Sequence, residues 1–448
     1  MCQIPKRSLA GVACFLLAAL ASLPVARAAD IKPVPGPDVI SPERRPVLAP
    51  GHPWACSERY PVCVHATAPT LAPQVLPTLR DLEDVVARVH GVLRWPAPLR
   101  DGSLGGNESF DVYLTPVAPP FFHVVPDDPD LWTELDRTSA FALVQPSLPD
   151  ACFRSEALAE AYARAGLFAV DAGGQHGLAN ATAAFVASEA FDCPVSWLAD
   201  VDDVQDAPQD AVSSTRIDHG RGNLLFPWFL QETRGMAGSV DLLHAIWLLS
   251  AQHTDFARTR FVNEPDLLDV LARLQDGRTA TLDDLLLEYA VDRAFVGDRD
   301  DGLHMPETRF LGSAGAVRFD ASVPWSMLPR SITPAVPIEP TGSSYVWLDL
   351  TSAPKDAGLI VQARWELPTR FMFSLLRIGS DGSPVTQVNP PTLQRATEAQ
   401  FTIDDVGGVA GLLIVACNTG PNLADLAFDP DTVPYSSSAY SLALYPKK

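Results

Sequence analysis

Between residues 75 and 92 apolar side chains recur at helical spacing, with Leu76, Leu79, Leu82, Val85 and Val86 on one stripe, which predicts an amphipathic helix over 75–92. Two apolar runs, Phe110–Leu114 and Ser139–Val144, then read as strands, with the proline- and aspartate-rich stretch 115–137 as the loop between them. From Ser155 to Phe295 the period is helical. Leu158, Tyr162, Ala165 and Phe168 form the stripe of a first helix, with Ser155 at its N-cap position and Gly173-Gly174 as its stop. Leu178, Thr182, Phe185 and Val186 mark a second, stopped by Pro194, and further helices are predicted over 224–233, 240–250, 266–274 and 282–295. The last opens with Thr281 and Asp284 in capping-box spacing and ends at Gly297.

Beyond residue 335 the period drops to two. Val346-Leu348-Leu350, Val361-Ala363-Trp365 and Phe371-Phe373-Leu375 alternate with other side chains, turn signals such as Asp381-Gly382 and Gly407-Gly408 punctuate them, and 412–417 and 440–445 add two more strands. The class is therefore α+β: a mainly helical domain with a small N-terminal sheet over 67–330, followed by a C-terminal antiparallel β-sandwich over 335–448. Pro334, Pro337 and Pro340 crowd the junction.

The chain opens with Lys6 and Arg7, an apolar run from Leu9 to Val25, and Ala26-Arg27-Ala28. These are the three parts of a signal peptide, residues 1–28, with cleavage expected after Ala28. An exported protein, periplasmic or extracellular, follows. No later apolar run matches it in length, so no membrane span is expected in the mature chain. Residues 29–66 hold many prolines and little periodicity and read as an extended leader over the surface. Loss of Lys6, Arg7 and Arg27 takes the formal net charge from −21 to −24, a surface that repels nucleic acid and anionic lipid. The acidic runs Asp127–Asp130, Asp200–Asp206, Asp298–Asp301 and Asp425–Asp431 lack the twelve-residue calcium loop and read as solvated loops.

Five cysteines remain after cleavage: Cys56, Cys63, Cys152, Cys193 and Cys417. Cys56 and Cys63 bracket a short segment, whereas Cys152 and Cys193 flank two successive helices that would meet in an antiparallel hairpin. The expected bridges are thus Cys56–Cys63 and Cys152–Cys193, with Cys417 a free thiol buried in an alternating strand.

There is no Gly-x-Ser-x-Gly elbow, phosphate-binding glycine loop, Cys-x-x-Cys or His-Glu-x-x-His, and no two of the nine histidines stand three or four residues apart. The order of elements nevertheless has a precedent. A helix leads through a Phe-Asp-Val-Tyr-Leu strand to a helix beginning near Glu156. Then come the phrase Gly177-Leu178-Ala179-Asn180-Ala181-Thr182-Ala183-Ala184-Phe185, a helical subdomain ending Tyr289-Ala290-Val291-Asp292-Arg293-Ala294-Phe295, and a sandwich. This layout resembles secreted bacterial zincin-like metallopeptidases of the gluzincin type.

In that family two histidines four apart on one helix and a glutamate from the next hold zinc, and the glutamate beside the first histidine activates the metal-bound water. The resemblance places Ala159 and Ala163 at the histidine positions, Asn180 at the third ligand and Glu160 at the general base. It implies a degenerate member: no zinc, no cofactor, no catalytic residue, and a non-catalytic role binding a peptide, protein or glycan. An active hydrolase with other ligands and a structural component of the cell exterior are the alternatives. Glu160 is spaced to pair with Arg164 on the same helix, Asn180 reads as a polar residue near a helix start, and His176 as an exposed loop histidine.

Overall fold

The computed structural model describes residues 45–118, 121–127, 135–148, 150–193, 197–214, 217–251, 265–275, 281–305, 307–389, 396–421 and 437–447. The expected signal peptide with cleavage after Ala28, the expected leader up to residue 44 and the acidic run 425–431 lie outside the described residues. The fold is α+β.

A five-stranded sheet comes first, made of β1 (Trp54–Cys56), β2 (Val62–Ala66), β3 (Phe110–Leu114), β4 (Phe122–Pro126) and β5 (Ala140–Val144), in the order β1-β2-β3-β5-β4. Strands β2, β3 and β5 run parallel, and the edges β1 and β4 are antiparallel to their neighbours. Two expectations need correcting here. The stretch read as the end of a leader supplies β1 and β2, hidden in the sequence by Pro53 and Pro61, and the loop expected over 115–137 contains β4. The two faces of the sheet differ. Val62, Val64, Ala66, Val112, Leu114, Ala142 and Val144 join the helical core, while Tyr113, Val125 and Phe141 form a small separate cluster covered by Leu48. Period-two alternation produces this division.

Nine helices are found among the described residues: α1 (Ala72–Val85), α2 (Ala151–Phe168), α3 (His176–Ala190), α4 (Leu198–Asp206), α5 (Ile217–Gly222), α6 (Leu225–Arg234), α7 (Asp241–Ser250), α8 (Leu267–Gln275) and α9 (Leu282–Arg293). Helix α1 buries Val75, Leu79, Leu82 and Val85 but exposes Leu76, and it widens into a π-helical stretch, Val86–Val92, instead of continuing as α-helix to residue 92. The acidic run 200–206 is not a solvated loop; it lies on α4, with Val201 and Val204 turned inward. Thr281 and Asp284 form the expected capping box on α9. The structure joins Cys56 to Cys63 and Cys152 to Cys193 and leaves Cys417 unpaired and buried. No helix among the described residues is long and apolar enough to cross a membrane.

The C-terminal part holds two packed antiparallel-rich sheets. One contains β6 (Ala321–Pro324), β8 (Ser343–Asp349), β10 (Thr369–Ile378), β11 (Pro384–Val388) and β13 (Gly411–Pro421), ordered β11-β10-β13-β8-β6. The other contains β7 (Arg330–Ile332), β9 (Gly358–Trp365), β12 (Glu398–Ile403) and β14 (Tyr440–Lys447), ordered β12-β9-β14-β7. Val346, Leu348, Phe371, Phe373 and Ile414 meet Val361, Ala363, Leu442 and Leu444 between them. The outer face of the first sheet is buried as well: Tyr345, Leu376, Leu413, Val415 and Cys417 belong to the helical core. Burial on both faces explains why β13 reads as a nearly unbroken apolar run. Tyr345 Oη donates to the Ala290 carbonyl at 2.7 Å. Polar bonds between the segments 208–212 and 339–343 add to this, including Ser343 N to Pro208 O and Val212 N to Thr341 Oγ1.

Candidate functional site

Helix α2 starts at Asp150, whose side chain accepts from Phe153 N, so the cap lies five residues before the expected Ser155. From Glu156 to Phe168 every residue of α2 is buried. Helix α3 is equally apolar, and the alanines on both helices allow the two to pack closely. Ala159 and Ala163 are fully buried in this core.

The charged side chains of α2 find partners elsewhere. Glu160 does not pair with Arg164. Both its carboxylate oxygens accept from Arg221 Nε, each at 2.9 Å, and Arg221 Nη1 also donates to Asp200 at 2.8 Å. Glycine makes the delivery of Arg221 possible: a Cβ at Gly222 would stand 1.9 Å from the Asp200 carbonyl oxygen, so α5 lies directly on α4. Burial pushes the Glu160 carboxyl up to about 7 against the pull of Arg221.

Arg164 makes a second network. Its Nε donates to Asn180 Oδ1 at 3.1 Å, its Nη2 lies 3.1 Å from His176 Nδ1, and its guanidinium stacks on Phe168 at 4.1 Å. His176 is therefore not an exposed loop histidine. It is the first residue of α3, half-buried, and burial together with the Arg164 charge brings its pKa down to about 3. Burial brings Arg164 down to about 9. The two networks adjoin: a Cβ at Gly220, next to Arg221, would lie 3.3 Å from Asn180 Nδ2. Of the four positions singled out from sequence, Glu160 and Asn180 thus hold one guanidinium each, and the two alanines pack in the core.

Arg221 carried no sequence signal, because its partner lies 61 residues away. A third cluster, on the outer face of the first sheet, was also unread. Arg45 pairs with Asp101 and Asp111 at 2.6 Å and with Asp127 at 2.8 Å. His65 Nε2 lies 2.9 Å from Asp111 Oδ1, and His65 Nδ1 lies 3.2 Å from His52 Nε2. Among the described residues two groups have metal-like spacing, Cys63–His65–Asp111 and Asp150–Cys152–Cys193. In both the cysteines are disulfide-bonded, which removes the thiolate a metal would need.

No protein-family model matches the sequence, and no curated protein does. Among solved structures the chain has partial likeness to a pre-peptidase C-terminal domain of a collagenase from Bacillus anthracis, at 10% identity, 28% of this chain, 96% of that chain and a TM-score of 0.19. A periplasmic inhibitor of g-type lysozyme from Aeromonas hydrophila matches at 11% identity, 29% of this chain, 100% of that chain and a TM-score of 0.17. The enzymatically active domain of tailspike protein 4 from bacteriophage CBA120 matches at 10% identity, 27% of this chain, 17% of that chain and a TM-score of 0.18.

Proposed function

We propose that this chain is an exported, non-catalytic relative of zinc metallopeptidases that binds a peptide, protein or glycan outside the cytoplasm. The observation that supports this is the pair of buried guanidinium groups at the positions the resemblance assigns to zinc chemistry. Arg221 Nε is shared between both oxygens of Glu160, the general-base position, so that carboxylate is oriented by a guanidinium where the family's would face a metal-bound water. Arg164 occupies the Asn180 oxygen, at the third ligand position. A divalent cation placed among these charges would meet repulsion in a poorly screened interior, while Ala159 and Ala163 offer only methyl groups.

Metal analysis and peptidase assay of the purified protein, beside an Ala159→His, Ala163→His, Asn180→Glu variant, test the reading. The wild type is expected to carry no stoichiometric zinc and to cleave no peptide, and the variant to gain zinc affinity. Tightly bound zinc or peptidase activity in the wild type would favour an active hydrolase. Thermal-shift screening against peptides and glycans then separates a binding protein, which a ligand stabilises by mass action, from a purely structural one.

A further inference from the structure

At the far end of α3 from His176, three elements each contribute one aromatic ring and one carboxylate. On α3, Phe185 precedes Glu189 by four residues, and on α6 Trp228 precedes Glu232 by four, so each pair shares one helical face. Downstream of α9, Glu307 precedes Phe310 by three, and Glu307 takes a left-handed backbone conformation (φ 70°). The rings converge. Trp228 stacks with Phe310 at 6.4 Å and 28°, and Trp197 stands edge-on to both at 6.4 and 6.0 Å. Phe185 lies 6.4 Å from Trp228. Phe310 is 53% exposed, so the cluster opens to solvent.

The carboxylates converge too. Burial pushes Glu189 up, and the charges of Glu232 and Glu307 push it further; Glu232 is raised by burial and then by Glu307. None of the three takes part in a hydrogen bond or ion pair among the described residues. The nearby arginines are committed: Arg309 donates to the Asp300 carbonyl, and Arg88 to the Ala190 carbonyl while its guanidinium stacks on Phe191. The buried Trp197 Nε1 likewise has no acceptor among the described residues.

We infer that Trp197, Trp228 and Phe310 with Glu189, Glu232 and Glu307 form a docking site for a basic side chain, a lysine or arginine of a partner polypeptide. A cation fits both halves of the site: aromatic faces attract it through their quadrupoles, and three repelling carboxylates lose their mutual repulsion when it arrives. The site is separate from the two arginine networks and stands whether or not that pair of helices ever held a metal.

The test uses the full mature chain and a fluorescein-labelled Lys-Lys-Lys tripeptide, with its Nε-acetylated form as the uncharged probe. Fluorescence anisotropy should show salt-sensitive binding of the charged tripeptide and none of the acetylated one. Glu189→Gln with Glu232→Gln, and separately Trp228→Ala, should each weaken it by about tenfold, the order expected for a charge pair or a desolvated cation–π contact. A control that neutralises three exposed sandwich carboxylates, Asp356→Asn with Glu366→Gln and Asp405→Asn, should leave it unchanged. The Glu→Gln pair relieves repulsion and should unfold no earlier than wild type, so its loss of binding is not loss of fold. No binding by the wild type, undiminished binding by the Glu→Gln pair, or equal loss in the sandwich control would overturn the inference.

Discussion

The two halves of the molecule solve burial in opposite ways. Between the sandwich sheets the core is largely apolar, with Phe371, Phe373, Ile414 and Leu442 interlocked. The helical half buries Glu160, Arg164 and Arg221 among alanines. Apolar packing is indifferent to acidity, whereas the contribution of a buried ion pair changes with the charge its partners carry. The sandwich should therefore respond to lost volume and the helices to lost charge.

The sharpest break in this comparison is a matched pair of variants. Phe373→Ala should cost about 3–5 kcal/mol by opening a cavity, equally at pH 5 and pH 7.5. Arg221→Ala should cost a similar 3–5 kcal/mol at pH 7.5, by leaving Glu160 buried without its partner, but clearly less at pH 5. The sign follows from linkage: Glu160 is raised from 4.5 to about 7 in the folded protein, so folding favours its protonated form. Its contribution grows as pH falls from about 7 toward 4.5 and is lost as pH rises through 7. Urea denaturation of both variants at the two pH values is the measurement, and a pH-independent Arg221→Ala penalty would break the distinction.

Next in size are the disulfides, both in the helical half. Cys152–Cys193 spans a sequence separation of 41 and Cys56–Cys63 one of 7. On the loop-entropy model their removal should cost about 4 and about 2.5 kcal/mol respectively. Differential scanning calorimetry of the two Cys→Ser pairs gives the order, and equal losses would mean that native contacts rather than chain entropy set it. Smaller still is Thr281→Ala, which removes the capping box of α9 and should cost about 1 kcal/mol. The smallest expected effect is none: limited proteolysis under native conditions should not cut within 320–340 to release the sandwich. That stretch holds β6 and β7, and the first sandwich sheet lends its outer face to the helical core. Early release of a folded C-terminal fragment would show that the halves are more independent than their shared core implies.

Much of this architecture was legible in the sequence wherever one rule acted alone. The capping box of α9 and the alternation of β8–β10 are local patterns, and local patterns survive folding. The reading failed where proline or charge masked a short strand, as at β2 and β4, and where two local rules competed. Glu160 and Arg164 have ideal spacing for a surface pair, but that rule presumes a solvated helix face. On a helix buried all round, the Glu160 carboxylate takes the arginine that reaches it from α5, and no pattern within one helix announces a partner 61 residues away. Read alone, Asn180 is a polar residue near a helix start and His176 a loop histidine; their contacts with Arg164 depend on how α2 and α3 pack.

Arg45 bears on how the first sheet answers to acidity. It holds Asp101, Asp111 and Asp127 together on the outer face of the first sheet and lies over Phe141 at 5.0 Å. Even with it in place, burial pushes the Asp101 carboxyl up to about 6. A change that removed this arginine would leave three carboxylates crowded without the cation they share. Relief would come from proton uptake, so losing this one arginine would deepen a preference for acidic surroundings that Asp101 already gives the sheet.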